Sequence, residues 1–191
     1  MRRIQELGLA ANWFNEKGDT MKICEVNDNF IEDDGIIREK AFYSNKQEQT
    51  KETFSFKWAI KSSYNSDWAN ANYQRWLREK YFANDEGILN KVFSDGSIVL
   101  DAGCGAGMSA IDLLGKEKLS KIHYIGVDIS SAVNEARQNF EALGCKQNCE
   151  FVQCDLNNIP ITKEVDVVFS EGVLHHTDST RNAILNLSSV C

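Results

Sequence analysis

The residues that could do chemistry are concentrated around a glycine-rich turn in the middle of the chain. An apolar run from Ile98 to Leu100 ends in Asp101, and three glycines then alternate with other residues: Gly103, Gly105 and Gly107. Glycine has no Cβ atom, so its backbone can adopt a positive φ and approach a ligand closely. The helix that follows directs its free N–H groups and the positive end of its dipole at an anion. The pattern predicts a buried strand that turns sharply into a helix and holds a nucleotide-like cofactor.

Carboxylates recur at the ends of the other apolar runs. Together with Asp101, they are Asp128 after residues 122–127 and Asp155 after residues 151–154, so three of the four strand ends are acidic. The fourth run, at residues 165–169, leads into Ser170 and Glu171. A single acid in such a place is commonly a solvated loop residue, but recurrence at equivalent points indicates a shared role. Ligands of open parallel sheets bind beyond the carboxyl ends of the strands. We therefore expect these side chains and the glycine turn to meet at one edge of a sheet.

Asp128 is the predicted partner of a ribose. It follows the glycine turn at roughly the 20-residue interval at which a second-strand carboxylate accepts hydrogen bonds from a ribose diol. A carboxylate in this position repels a 2′-phosphate, so an unphosphorylated ribose is favoured. Asp155, after the third strand, either accepts a hydrogen bond from an exocyclic amine such as that of adenine or serves as a helix cap or turn residue.

The glycine spacing leaves two cofactor classes open. Residues 105–110 satisfy the permissive GxGxxA form of the dinucleotide fingerprint. Counted from Gly103, however, the sixth position is Met108, which is too bulky for the close helix approach that this fingerprint requires. An NAD-type cofactor therefore stays an alternative on these residues alone.

Strand and helix patterns alternate regularly after residue 96. Apolar runs predict strands at 98–100, 122–127, 151–152 and 165–169, and helical periodicity predicts helices at 108–114 and 132–143. Ser130 or Ser131 is suited to cap the second helix, and Gly144 is suited to end it. The alternation predicts a doubly wound α/β fold with a parallel sheet that is covered on both faces.

The first half of the chain is polar at its start and aromatic after that. We predict a polar leader over residues 1–50, with a loop or short hairpin near 27–35, and an aromatic helical lid segment over 51–95. The aromatic and apolar residues at helical spacing are Trp68, Tyr73, Trp76, Leu77 and Tyr81. Ser66 or Asp67 is placed to cap this helix. The stripe packs against the main sheet, or some of its rings line a ligand pocket.

Composition excludes several classes of function. The net charge of -7 and the lack of a basic block argue against a general nucleic-acid binder. No apolar run approaches the roughly 18 residues of a membrane span, so we predict a soluble cytoplasmic protein. The six cysteines lack the paired spacing of a zinc site and are expected to be free thiols, with a metal shared by Cys145 and Cys149 as the alternative.

Four segments in order resemble the motifs of class I S-adenosylmethionine-dependent methyltransferases: residues 99–107, 126–130, 153–156 and 170–178. The resemblance implies a Rossmann-like methyltransferase core over residues 96–191. It implies that the turn contacts the methionine part of the cofactor through Asp101, Gly103, Cys104, Gly105 and Gly107. It also implies that Asp128 holds the ribose with Ile129 in the same site, that Asp155 and Leu156 meet the adenine, and that Ser170 and Glu171 border the methyl group.

Two adjacent histidines are the candidate catalytic residues. Methyl transfer from a sulfonium requires chiefly that nucleophile, methyl carbon and sulfur be aligned within roughly 3 to 3.5 Å. A hydroxyl or carbon-acid acceptor also benefits from a general base, and His175 or His176 fits this role because imidazole titrates near neutral pH. Alternatively, one histidine caps a helix or packs under the loop while the other faces solvent. Phe56 and Trp58 either cover the cofactor, where a cation–π contact with the sulfonium is favourable, or pack in the core.

The chain departs from this family in the number of strands. Four parallel strands are recognisable, whereas the family has seven in the order 3-2-1-4-5-7-6. We therefore expect a fragment of a longer enzyme that lacks the C-terminal strands, with an apolar fourth strand at the edge of its sheet. Expressed alone, such a chain is expected to be poorly soluble or inactive.

The sequence thus predicts S-adenosylmethionine-dependent methyl transfer to a small-molecule acceptor, with no metal, nucleic-acid or membrane partner. Two alternatives remain open. One is an NAD-type oxidoreductase. The other is a non-catalytic nucleotide-binding or partner-binding module, which the missing strands favour. Neither the methyl acceptor nor the oligomeric state is predicted.

Overall fold

A six-stranded sheet forms the centre of the structure. The computed structural model describes residues 22–40, 45–59 and 67–191. The strands are β1 (Phe30–Asp33), β2 (Ile36–Glu39), β3 (Ile98–Ala102), β4 (His123–Asp128), β5 (Cys149–Gln153) and β6 (Val167–Phe169). They lie in the order β1-β2-β5-β4-β3-β6, and all neighbouring pairs are parallel except β1 with β2.

The four predicted strands are the four strands at one end of this sheet, and they confirm the doubly wound α/β fold. In order of sequence they are arranged 3-2-1-4, with β3 between β4 and β6. The fourth strand is shorter than predicted, because the N–H of Val165 donates to the carbonyl of Val190 at 2.7 Å instead of extending the sheet. Since all four strands are parallel, their carboxyl ends meet at one edge.

The remaining two strands correct the prediction of only four. Strands β1 and β2 form a hairpin around Asp34 and Gly35, whose φ angles of 48° and 68° are those of a tight two-residue turn. Strand β2 pairs in parallel with β5, at Ile37 with Val152 and at Arg38 with Gln153. Part of the predicted polar leader therefore belongs to the sheet. In β1 only Phe30 is buried, so the sequence shows no apolar alternation there.

Six helices flank the sheet in the described part of the chain: α1 (Asn45–Ala59), α2 (Asp67–Phe82), α3 (Glu86–Val92), α4 (Met108–Leu119), α5 (Ala132–Leu143) and α6 (Thr180–Ser188). Helix α1 crosses the boundary predicted at residue 50. Helix α4 breaks at Gly115, next to the predicted end at Leu114. Gly144 ends α5 in the left-handed conformation, as predicted. Within the described ranges, no helix has both the length and the apolarity to cross a bilayer.

Both faces of the sheet are buried. On one face the side chains pack with α2, α3, α4 and α5, and the ring of Tyr124 stacks on Phe140 of α5 at a centroid distance of 4.4 Å. On the other face, Leu100 and Ile125 pack in a second cluster that includes Leu187 of α6. Successive residues of a strand point to opposite faces, which is why neighbouring residues of β3 and β4 belong to different clusters.

The aromatic stripe of α2 is divided between core and surface. Leu77 is fully buried and Tyr73 is partly buried against the same cluster, whereas Trp76 and Tyr81 are 44% and 40% exposed. Helix α2 packs against α4, and Tyr81 contacts Phe169 of β6 edge to face. The side chain of Trp68, the proposed cap Ser66 and the first 20 residues of the leader lie outside the described residues.

All six cysteines lie in the described part of the chain, and none forms a disulfide. Burial raises the pKa of the Cys104 and Cys154 thiols well above the usual value. These thiols behave as small apolar side chains rather than as nucleophiles. Among the described residues, no cluster of three metal-binding side chains is present, at Cys145 and Cys149 or elsewhere.

A buried carboxylate holds residues 22–24 against the sheet. Glu150 of β5 accepts hydrogen bonds from the backbone N–H groups of Ile23 (2.7 Å) and Cys24 (3.0 Å) and contacts Nε2 of the buried His123 (2.7 Å). Burial acts to raise the pKa of Glu150, but these hydrogen bonds together outweigh it and hold the pKa below its usual value. The folded state therefore favours the ionised carboxylate.

We predict that Glu150→Ala lowers the free energy of unfolding at neutral pH by roughly 2 to 4 kcal/mol, because buried hydrogen-bonding groups lose a charged acceptor. Since the folded pKa is depressed, this stabilisation is complete above the usual value of 4.5 and is lost as the pH falls through the folded pKa. Urea denaturation at several pH values measures it. Glu141→Ala removes only surface ion pairs, with Lys146 and Arg137, and should change stability little. Equal losses in the two variants would contradict the prediction.

Candidate functional site

A cavity opens at the carboxyl edge of β3, β4, β5 and β6. The space that it encloses, together with its open mouth, is about 790 Å³. The end of each of the four strands contributes lining residues, and α1 contributes three more. The lining residues are Gln47, Thr50, Phe54, Gly103, Asp128, Ile129, Asp155, Leu156, Glu171, Gly172, Val173, His176 and Thr177.

Asp128, at the end of β4, is tied to the segments on both sides of it. Its Oδ2 accepts from the backbone N–H of Gly105 at 2.8 Å, and its Oδ1 accepts from the backbone N–H (2.8 Å) and hydroxyl (2.6 Å) of Ser130. Burial raises the pKa of Asp128, and these hydrogen bonds offset part of that effect. Ser131 occupies the N-cap position of α5 without a capping hydrogen bond from its side chain, and the hydroxyl of Ser130 instead accepts from the N–H of Ala132 at 3.3 Å.

The glycine turn has the backbone conformation that the sequence predicts. Gly103, Gly105 and Gly107 have φ angles of 90°, 51° and 76°, which residues with a Cβ atom rarely adopt. A Cβ atom at residue 103 would lie 2.3 Å from Cγ2 of Val173, so the loop after β6 packs directly on the turn. Of the three glycines, only Gly103 lines the cavity.

Asp101 lies beneath the turn and not in the cavity lining. It is buried, and its Oδ2 accepts a hydrogen bond from the hydroxyl of Tyr124 at 2.7 Å. Burial raises the pKa of Asp101 to about 7, although the Tyr124 hydroxyl lowers it in part. Cys104, predicted to contact the cofactor, is buried in the hydrophobic core.

Asp155 is held by hydrogen bonds from three directions. Its Oδ1 accepts from the backbone N–H and the side-chain amide of Asn157 at 2.9 and 3.0 Å. Its own backbone N–H donates to Oε2 of Glu39 on β2 at 3.0 Å. The side-chain amide of Gln47 on α1 donates to its Oδ2. Asp155 therefore links the loop after β5 to two elements of the N-terminal half.

Glu171 is held in the cavity wall by the end of α2. The hydroxyl of Tyr81 donates to its carboxylate, and Nζ of Lys80 lies 3.2 Å from Oε1. Lys80 also lies over the ring of Trp76, 4.4 Å from its centroid. Ser170 points elsewhere, since its hydroxyl donates to the carbonyl of Ala102 at 2.7 Å.

The two candidate histidines occupy different positions. His176 lines the cavity, and its ring meets Phe54 of α1 edge to face at a centroid distance of 5.1 Å. His175 packs beside it at 3.9 Å but is not among the lining residues. Phe56, proposed as a cover for the cofactor, is 68% exposed and is not among them either. The side chain of Trp58 lies outside the described residues.

Most, but not all, of the predicted site residues thus meet in one cavity. Those in its lining are Gly103, Asp128, Ile129, Asp155, Leu156, Glu171 and His176. Those outside the lining are Asp101, Cys104, Gly105, Gly107, Ser170 and His175.

The sequence analysis missed the contribution of α1. Gln47, Thr50 and Phe54 are three and four residues apart, so they share one face of a helix and reach the cavity together. Their spacing is a signal that could have been found. We did not use this spacing because α1 is largely polar and because the predicted boundary at residue 50 lies inside it.

Comparisons with known proteins agree with this architecture. Residues 93–191 match a family model described as a methyltransferase domain. The chain is similar to magnesium protoporphyrin IX methyltransferase from Synechocystis PCC 6803, both with bound S-adenosylmethionine (21% identity, TM-score 0.54) and with bound S-adenosylhomocysteine (23%, 0.56). These alignments cover 80% and 77% of this chain and 74% and 68% of that enzyme. No curated protein sequence matches the chain.

A third structure, the 4+2 cyclase SpnF, is similar at 17% identity with a TM-score of 0.60. The alignment covers 77% of this chain and 56% of the cyclase. At such identities the structures show a common fold, and one fold serves different reactions. The family model, in contrast, covers more than half of the chain, including the glycine turn and all four strand ends at the cavity. The chain therefore belongs to the methyltransferase domain family, class I, with a Rossmann-like fold.

Proposed function

We propose that the chain binds S-adenosylmethionine in this cavity and transfers its methyl group to a small-molecule acceptor. The observation that carries the proposal is that four neighbouring strand ends supply Gly103, Asp128, Asp155 and Glu171 to one cavity. Open parallel sheets bind their ligands at this edge. The family match supports the chemical class of the reaction.

The charge of the cavity suits a cationic cofactor. Among the described lining residues, three are carboxylates, Asp128, Asp155 and Glu171, and no lining residue is Lys or Arg. Lys80 contacts Glu171 from α2 without lining the cavity. S-adenosylmethionine carries a sulfonium, an ammonium and one carboxylate group, so its net charge is positive and carboxylates attract it, whereas they repel the diphosphate of a dinucleotide.

The glycine turn offers little to a diphosphate. The N–H groups of Gly103 and Cys104 donate to the carbonyl of Val127, that of Gly105 donates to Asp128, and that of Gly107 donates to the carbonyl of Cys104. A phosphate-binding turn directs such groups at the ligand instead. The NAD-type oxidoreductase is disfavoured on this ground as well as on charge.

Two carboxylates are suited to hold the adenosine. Oδ2 of Asp128 accepts one hydrogen bond from the described residues, which leaves acceptor capacity for a ribose hydroxyl. Oδ2 of Asp155 accepts from Gln47 of α1 on the side of the cavity. It has capacity for a second hydrogen bond, which the adenine amine can donate. When bound, S-adenosylmethionine supplies an electrophilic methyl group. The protein's task is to orient the two reactants and to exclude water.

The acceptor in this proposal is a small molecule that binds beside the cofactor in the same cavity. Helix α1 and the loop at residues 171–177 enclose the space on two sides. His176 is the side chain placed to take a proton from a hydroxyl or carbon-acid acceptor, since it lines the cavity and His175 does not.

Calorimetry should show binding of S-adenosylmethionine and S-adenosylhomocysteine and no binding of NAD. Asp128→Asn should weaken binding of S-adenosylhomocysteine by about tenfold or more, because an amide cannot accept hydrogen bonds on both sides. Asp112→Asn is the matched control: Asp112 is half-buried on α4, accepts from Gln74 at 2.9 Å and does not line the cavity. Binding of NAD alone would select the oxidoreductase, and unchanged affinity in Asp128→Asn would remove Asp128 from the site.

His176→Asn should lower turnover by at least about 100-fold, the usual contribution of a general base. The assay is release of S-adenosylhomocysteine in the presence of a panel of small hydroxyl and carbon-acid acceptors. Affinity for S-adenosylmethionine should stay near the wild-type value, and His175→Asn should keep most of the activity. Wild-type turnover in His176→Asn would exclude it as the base. Cofactor binding without turnover of any acceptor would favour the non-catalytic alternative.

A further inference from the structure

The last residue of β2 contacts the loop that carries Asp155. Oε2 of Glu39 accepts from the backbone N–H of Asp155 at 3.0 Å, and Oε1 accepts from the side-chain amide of Asn158. Glu39 is half-buried. One carboxylate thus ties both ends of the short turn from Asp155 to Asn158.

The register of the sheet explains why Glu39 is in this position. Strand β2 pairs with β5 at Ile37 with Val152 and at Arg38 with Gln153, which is the last residue of β5. Glu39 is one residue farther along, where β5 has ended and the Asp155 loop has begun. Its carboxylate therefore meets the backbone N–H of Asp155, which no strand satisfies.

Arg38, the residue of β2 before Glu39, supports the ribose side of the cavity, also through hydrogen bonds. Arg38 donates through its guanidinium to Oε1 of Gln153 and, at 2.7 Å, to Oδ1 of Asn134. Gln153 in turn donates to the carbonyl of Ile129 at 3.3 Å, and Ile129 lines the cavity. Both residues at the end of β2 therefore contact groups directly behind the cavity wall.

We propose that Glu39 is a positioning residue for the adenine subsite, an inference that rests on the proposed function. Glu39 fixes the backbone of Asp155, and Asn157 donates twice to Oδ1. Oδ2 accepts once, from Gln47 of α1, and so keeps capacity for one further hydrogen bond on the side of the cavity. A carboxylate fixed in this way pays little conformational entropy when it accepts from an exocyclic amine. Glu39 precedes the residues matched by the family model, which begin at 93.

Three variants of the full chain test this role. Glu39→Ala removes the acceptor. Glu39→Gln keeps one oxygen that can accept from the Asp155 N–H. Glu32→Ala, on the other strand of the hairpin, removes only an exposed ion pair with Lys22 and is the matched control. For each, calorimetry gives the affinity for S-adenosylhomocysteine and for S-inosylhomocysteine, in which a carbonyl replaces the adenine amine. Amide hydrogen exchange of the ligand-free protein, followed by NMR, reports on the Asp155 N–H.

Glu39→Ala should weaken binding of S-adenosylhomocysteine by about tenfold, the loss expected for one charged hydrogen bond. It should weaken S-inosylhomocysteine less, so that discrimination between the two falls, and it should speed exchange at the Asp155 amide. Glu39→Gln should keep most of the discrimination between the two ligands and most of the protection of the Asp155 amide from exchange. Glu32→Ala should behave as wild type. A general loss of folding would lower both affinities equally and would not be rescued by Gln.

Unchanged discrimination in a folded Glu39→Ala protein, or an unchanged exchange rate at Asp155, would overturn the positioning role. Failure of the proposed function gives a different result: the wild type itself then binds no S-adenosylhomocysteine. In that case the exchange measurement still decides whether Glu39 fixes Asp155.

Discussion

The hydrogen bond between the Asp128 carboxylate and the N–H of Gly105 holds the centre of the site together. It joins the end of β4 to the glycine turn after β3, and the other oxygen of the same carboxylate fixes Ser130 at the start of α5. Burial of the carboxylate opposes this arrangement, as the raised pKa of Asp128 indicates, and the three hydrogen bonds offset part of this effect.

Around this centre the site draws on two parts of the chain. The residues within the matched family region supply the strand ends that line the cavity. The N-terminal elements hold these ends from outside: Glu39 of β2 contacts the Asp155 loop, Gln47 of α1 contacts the Asp155 carboxylate, and Tyr81 of α2 contacts Glu171. Since methyl transfer depends on alignment more than on catalytic side chains, such supports bear directly on the proposed activity.

The strands and helices with clear hydrophobic periodicity were predicted from the sequence, and elements without such periodicity were not. The apolar runs of β3, β4 and β5 can be recognised in the sequence because these strands are buried on both faces. The acidic residues at their ends could then be identified from their positions after these runs. Strand β1 buries only Phe30, and α1 is largely polar, so neither has a strong signal of its own. The sequence also could not separate His175 from His176, because only the packing of the loop against Phe54 decides which of them lines the cavity.

A crystal structure of the chain with S-adenosylhomocysteine tests the central claim most directly. We expect one bound molecule at the carboxyl edge of the sheet, with its ribose hydroxyls at Asp128, its adenine amine at Asp155 and its sulfur toward Glu171. A ligand bound elsewhere, or an adenosine that contacts neither carboxylate, would contradict the account.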